Sequence, residues 1–250
     1  MGNFYFDESI HDNGKFITGC AIYSNTDINP IIESALLKLN LIPGIDEYKS
    51  RNIIAGNETN RLLRGEIYKI FCKYTQFGLV FIPRSEQKYL YINGLMLIEK
   101  IINNNNLEKE KHNVYFDDGI LEFGNKKQVE GLTVYTKQNS KIIMGIQIAD
   151  FVAHTCSIML KEQLGLLDKY VKVGENSGYD PDMMMSIGFD LWTGIRHHFF
   201  QSQQGVDDER AFYGYTNISD YGLLISKSFD KKTYEAIEAR FSTGYLGCIH

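Results

Sequence analysis

Two segments of this chain share one form. Asn3-Phe4-Tyr5-Phe6-Asp7-Glu8 and Val114-Tyr115-Phe116-Asp117-Asp118-Gly119 are each an aromatic, apolar run that ends in acid. Runs this rich in aromatic and β-branched side chains form buried strands. A carboxylate placed in such a run is costly unless it is paired, hydrogen-bonded or coordinated to a cation. The chain is therefore constrained to fold around two strands that deliver carboxylates at their carboxyl ends, where open α/β sheets tend to place their sites.

A third acid breaks the same rule. Over residues 142–164, Ile146, Ala149, Val152, Ala153 and Met159 suit a packed helix, and Asp150 is the misfit among them. A helix that follows the strands can lean Asp150 onto the point where Asp7 and Asp117 end. Carboxylates gathered there repel one another without cations, and hard oxygen ligands suit magnesium or manganese.

The remaining pattern alternates strands with helices. Residues 15–24 pair back on the first strand through a turn at Asn13-Gly14. A helix is expected over 31–41, opened by Asn29-Pro30 and closed by Pro43-Gly44. Helical spacing over 60–74 leads to a strand at 77–82, after which Ser85 is expected to cap a long helix carrying Leu90 to Ile102. Residues 131–135 give a further strand. Beyond Gly165 the pattern loosens into a helix over 183–200, a strand at 221–226 and a helix over 231–241 capped by Asp230. These elements predict an α/β fold, a mixed sheet flanked by helices. Residues 1–165 form the core, and 166–250 form a C-terminal α/β elaboration packed on the same domain. At 250 residues and 44% hydrophobic content, one substantial core suffices.

Composition narrows the function. A formal net charge of -5 supplies no global basic field, so a phosphate backbone would have to be met by local cations. No run approaches the roughly 20 apolar residues of a membrane span, and the opening residues lack a signal peptide's pattern, so a cytoplasmic location is expected. Cys20, Cys72, Cys156 and Cys248 form no CxxC pair and read as reduced, mostly buried thiols. Asp180, Asp182, Asp190 and Asp207-Asp208-Glu209 lack calcium-loop spacing, and the adjacent His197-His198 cannot form the i, i+4 pair of a metalloprotease helix.

Phe4-Tyr5-Phe6-Asp7-Glu8-Ser9, Glu47-Tyr48-Lys49, Val114-Tyr115-Phe116-Asp117 and Gly145-Ile146-Gln147-Ile148-Ala149-Asp150 resemble the signatures of the domain-of-unknown-function-3800 family, over about residues 3–164. Ile10 stands where that family carries glycine after Asp-Glu-Ser. The family is assigned to the ribonuclease H-like superfamily, and the resemblance implies that fold. It implies that Asp7 bridges two Mg²⁺ or Mn²⁺ ions, that Asp117 binds one of them, and that Glu47 and Asp150 complete the set. Lys49 would neutralise a phosphate or position the water.

Around these residues, strand alternation sends Glu8 to the opposite face from Asp7 and leaves it at the surface or behind the ligands. Asp118 stands as an understudy to Asp117, and His154 shares the helical face of Asp150. Arg51, Arg61, Arg64, Lys69 and Lys73 offer one stripe that could track phosphates. The resulting expectation is a two-metal nuclease, with water as nucleophile, no organic cofactor, and DNA, RNA or a hybrid as substrate. The alternative is a non-catalytic binding or assembly module of a multi-protein system, for which a defence role is compatible with the resemblance. Its C-terminal tyrosines, Tyr213, Tyr215, Tyr221 and Tyr245, would dock a protein partner.

Overall fold

The computed structural model describes residues 1–50, 58–123, 130–173, 180–200 and 222–241. Strands β1 (Gly2–His11), β2 (Phe16–Ser24) and β3 (Gln76–Pro83) form an antiparallel meander, joined at its start by a turn through Asn13-Gly14. On the other side of β1, β4 (His112–Asp117) and β5 (Leu132–Gln138) add in parallel. A two-stranded ribbon, β6 (Tyr170–Lys172) with β7 (Met184–Ser186), stands apart, and β8 (Leu223–Ile225) pairs in parallel with β3. The central sheet is thus six-stranded and mixed, in the order β5-β4-β1-β2-β3-β8. With helices on both faces, it is an α/β arrangement consistent with a ribonuclease H-like fold.

Period-two alternation decides which side chains enter which core. Phe4, Phe6, Ile17, Ala21, Val80 and Ile82 face helix α3 (Leu90–Asn104), which buries Leu95, Ile98 and Ile101 against them. Tyr5, Cys20, Ile22, Leu79 and Phe81 face the opposite way. There they meet α1 (Asn29–Lys38), α2 (Glu58–Tyr74), α4 (Gly145–Gln163), α5 (Ile187–Ile195) and α6 (Lys231–Phe241). Every residue of β2 is buried, because it lies inside the sheet with both faces covered. Cys20 and Cys156 are buried free thiols in this second core, and Cys72 is half-buried.

Three local expectations need correction. Ser85 caps nothing: residues Arg84–Tyr89 form a 3-10 turn entered from Pro83, and α3 begins only at Leu90. Proline at 83 fixes an extended entry, and the tighter turn carries the chain off the end of β3 before the helix can start. The segment expected as one helix over 183–200 is β7, then α5, then a 3-10 turn Arg196–His198. Here the Ser186 hydroxyl accepts from Phe189 N and sets the helix start. The strand near 221–226 is shorter, at Leu223–Ile225, while Asp230 caps α6 as expected, accepting from Thr233 N at 3.0 Å. Tyr213, Tyr215, Tyr221 and Tyr245, together with Arg51, Cys248 and Asp207-Asp208-Glu209, lie outside the described residues.

Glu162 ties the C-terminal elements to α4. Its carboxylate accepts from Arg240 Nη2 at 2.9 Å, Ser186 Oγ at 3.0 Å and Gly188 N at 2.6 Å. No helix among the described residues is long and apolar enough to cross a membrane.

The height of α4 above the sheet is set at Gly145. A Cβ there would sit 2.4 Å from a ring carbon of Tyr5, so only glycine lets the helix start this close. Alanine normally favours a helix over glycine by about 1 kcal/mol. Gly145→Ala is expected to reverse that sign and destabilise the protein by roughly 1–3 kcal/mol through overpacking. Urea unfolding of the variant checks this, and a stability gain would contradict the packing described.

Candidate functional site

Strand register brings the first two acids together. β1 pairs with β4 from Gly2↔His112 to Phe6↔Phe116, and β4 ends one residue later at Asp117. Tyr5 and Tyr115 stack with ring centroids 5.5 Å apart on the α4 side of the sheet. Residues two further along return to that face, so Asp7 and Asp117 stand side by side, only 6% and 8% exposed. Asp7 Oδ1 accepts from Glu8 N at 2.7 Å, and Asp117 Oδ2 accepts from Gly119 N at 3.2 Å.

Asp150 arrives from α4. Its Oδ2 accepts from Ser50 N at 2.8 Å, and Ser50 Oγ donates to its carbonyl at 3.1 Å. Two residues earlier Tyr48 N donates to Gln147 Oε1 at 2.8 Å, while Gln147 Nε2 donates to Ser140 O at 2.8 Å. These bonds clip an irregular segment, residues 46–49, along α4. Glu47 and Lys49 meet at Ser140, whose Oγ donates to Glu47 Oε2 at 2.6 Å and accepts from Lys49 Nζ at 3.2 Å. Lys49 Nζ lies 3.6 Å from Glu47 Oε2.

Glu8 joins the group, against the expectation from alternation. Alternation still starts its side chain on the face opposite Asp7, but β4 has ended beside it and the chain turns away at Gly119, so no strand separates its carboxylate from the group. A Cβ on Gly119 would lie 3.4 Å from Glu8 Oε1 and 3.5 Å from Asp117 Oδ2, which puts both carboxylates around the same backbone position. Glu8 Oε2 is buried without a hydrogen-bond partner. Asp118, by contrast, is exposed.

The fields of these groups overlap. Burial, followed by the charges of Glu8, Asp117 and Asp150, pushes the Asp7 carboxyl well above the ordinary aspartate range. Burial and then the Asp117 charge raise Glu8 to about 7. Burial lifts Asp117 to about 6 against the pull of the Gly119 N–H and Lys49, and it raises Asp150 against two bonds from Ser50. Burial opposes the Lys49 ammonium, but Asp7, Glu47, Asp117 and Asp150 outweigh it and hold its pKa above the usual lysine value. Lys49 is therefore the cation shared by the acids. Glu47 pairs with it and is not among the main charges raising the other four.

Burial lowers the histidines beside the site. His11 falls to about 4, and His154 falls despite the nearby Asp150 charge, their rings 6.4 Å apart. His198 is a structural contact, its Nδ1 3.1 Å from Thr75 O. Asp182 pairs with Lys172 at the surface.

Among the described residues, no three His, Cys, Asp or Glu side chains converge closely enough to hold a metal ion as they stand. Asp7, Asp117, Asp150 and Glu47 each direct an oxygen to a protein donor instead. No protein-family model, curated protein or solved structure matches this chain. The chemistry of the site rests on its own residues: an all-oxygen donor set, one orphaned carboxylate oxygen and a single ammonium.

Sequence reasoning singled out Asp7, Glu47, Lys49, Asp117 and Asp150. It missed Glu8, and it missed Ser50, Ser140 and Gln147, which position those side chains. The early end of the second aromatic run at Asp118-Gly119 was the available signal for Glu8, because it leaves β1 unpartnered on that side.

The raised Glu8 carboxyl fixes the sign of a pH effect. The folded protein holds this proton more tightly than the unfolded chain does, so ionisation of Glu8 subtracts from stability as pH rises through about 7. In chelator, Glu8→Gln should gain on the wild type by on the order of 2 kcal/mol between about pH 5 and about pH 8. Urea unfolding at each pH measures the difference, and one that does not grow with pH would show that Glu8 is not held in this field.

Proposed function

We propose that the chain is a metal-dependent nuclease, hydrolysing phosphodiester bonds at the carboxylates of Asp7, Asp117 and Asp150. The observation that carries this reading is the gathering of four acids, these three and Glu8, from two strands and a helix around one lysine. Buried like charges are retained at a cost of stability, and such perturbed groups concentrate at functional sites.

The donor set suits hard cations, magnesium or manganese, and the orphaned Glu8 Oε2 is a lone pair without a protein partner. Asp7, Asp117 and Asp150 would hold two ions, with Glu8 as a fourth carboxylate and Glu47 reaching them by releasing Ser140. When bound, such ions acidify water and stabilise the charge that develops on a phosphodiester. Lys49 presents its ammonium to a non-bridging phosphate oxygen. His154, uncharged at neutral pH, lies on the Asp150 side of α4 and can take up a proton. The expected substrate is DNA, RNA or a hybrid, and the expected location is the cytoplasm.

Labelled single-stranded and duplex DNA and RNA, incubated with magnesium, manganese or chelator, test the proposal. The wild type should cleave only with metal, and Asp7→Asn should not cleave. In chelator the same variant should melt a few degrees higher, because it removes a buried charge, and about 1 kcal/mol moves Tm by roughly 2–4 °C in a chain of this size. Cleavage retained by both Asp7→Asn and Asp150→Asn would exclude this site. No cleavage of any polymer would favour the binding or assembly module, and the search would move to its protein partner.

A further inference from the structure

The basic stripe on α2 is divided by the fold. Lys69 Nζ is held by Glu66 at 2.7 Å, and Lys73 Nζ lies over the Tyr74 ring. Arg64, and Arg61, whose Nη2 lies 3.7 Å from Glu58 Oε1 at the surface, line a cleft of about 420 Å³ between α2, α4 and α5, with Tyr68, Phe151, Asp190 and Gly194. Phe151, which follows Asp150, and Thr155 one turn further on line it, so the cleft adjoins the helix that carries Asp150.

Arg64 links the two. Its guanidinium carbon lies 5.8 Å from the Phe151 ring centroid, and it makes no ion pair among the described residues. Its charge reaches Tyr48 and His154 on the site side and Asp190 across the cleft. Tyr68 Oη donates to Gly194 O at 3.1 Å, which fixes that ring as a wall. The α2 side thus offers the fork-shaped donors of Arg61 and Arg64, which match a phosphate, with the Tyr68 ring one turn further on, and α5 brings the Asp190 carboxylate, an acceptor for the amino group of a base. The volume lies at the small end of ligand sites, enough for one nucleotide and too little for a duplex.

We propose that this cleft binds one unpaired nucleotide of the substrate strand, next to the phosphodiester held at the carboxylates. Its phosphate lies against Arg64 and Arg61 and its base against Tyr68 and Asp190. The placement of a strand here rests on the nuclease reading, whereas the nucleotide-binding property of the cleft can be tested without it.

Three readouts separate them. Fluorescence anisotropy of a short labelled single strand, with Asp7→Asn as the uncleaving parent, is compared with the same protein carrying Arg64→Gln, Arg64→Lys or the exposed Arg61→Gln. Binding of nucleoside 5′-monophosphates and of inorganic phosphate is measured alongside, with cleavage by the wild type as a third assay. Arg64→Gln should weaken strand binding about tenfold and reduce the slope of log affinity against log salt by about 0.7, the value for one phosphate contact on a single strand. Arg64→Lys should restore the slope, and Arg61→Gln should lower it without affecting folding. Metal-dependent cleavage with binding indifferent to Arg64 and Arg61 would overturn the cleft and leave the nuclease. Arg64-dependent binding of nucleotides without cleavage would keep the cleft and overturn the nuclease. Failure to bind strand or mononucleotide in any form, together with no cleavage, would overturn both.

Discussion

Parallel pairing of β1 with β4 holds Asp7 against Asp117, and the rest of the structure has to offset what that costs. Two carboxylates on neighbouring strands, both nearly excluded from water, are each pushed above their ordinary pKa. Glu8 and Asp150 add to the same field. A lone buried charge would simply take up a proton; several in one place need either protons or cations. Lys49 is one such cation, and its elevated pKa is the counterpart of the carboxylate strain.

The scaffold can carry this load because its apolar burial is extensive and lies on both faces of the sheet. β2 is covered throughout, α3 seals one face, and α4 lies close on the other because Gly145 leaves room for the Tyr5 ring. Residues 48–50 are then strapped to α4 by Gln147 and Asp150. The strap is what carries Lys49 to the acids, so packing, backbone hydrogen bonds and site electrostatics depend on one another.

Much of this was legible in the sequence. The strands of Asp7 and Asp117 and the helix of Asp150 announce themselves because an acid in an apolar run violates a burial rule that the surrounding periodicity makes visible. Register then does the remaining work, since equal aromatic runs such as Phe4-Tyr5-Phe6 and Val114-Tyr115-Phe116 align their acids when they pair. Glu8 was misplaced because alternation says where a side chain starts, not whether a neighbouring strand continues beside it. Ser50 and Ser140 left no signal, and Gln147 stands within the Gly145–Asp150 signature without a role attached, all three being neutral polar residues whose partners lie about a hundred residues away or on another element. The 3-10 turn before α3 was hidden for a similar reason, as Ser85 satisfies a capping pattern while Pro83 sets the geometry.

The proposed cation site requires that these carboxylates stay strained until cations reach them. Calorimetric titration with manganese near pH 6.5, repeated in two buffers of different ionisation heat, measures both cation binding and proton release. With Glu8 at about 7 and Asp117 at about 6, the wild type should bind manganese and expel protons, and Asp7→Asn should do neither. Absence of binding, or binding without proton release that survives Asp7→Asn, would contradict it.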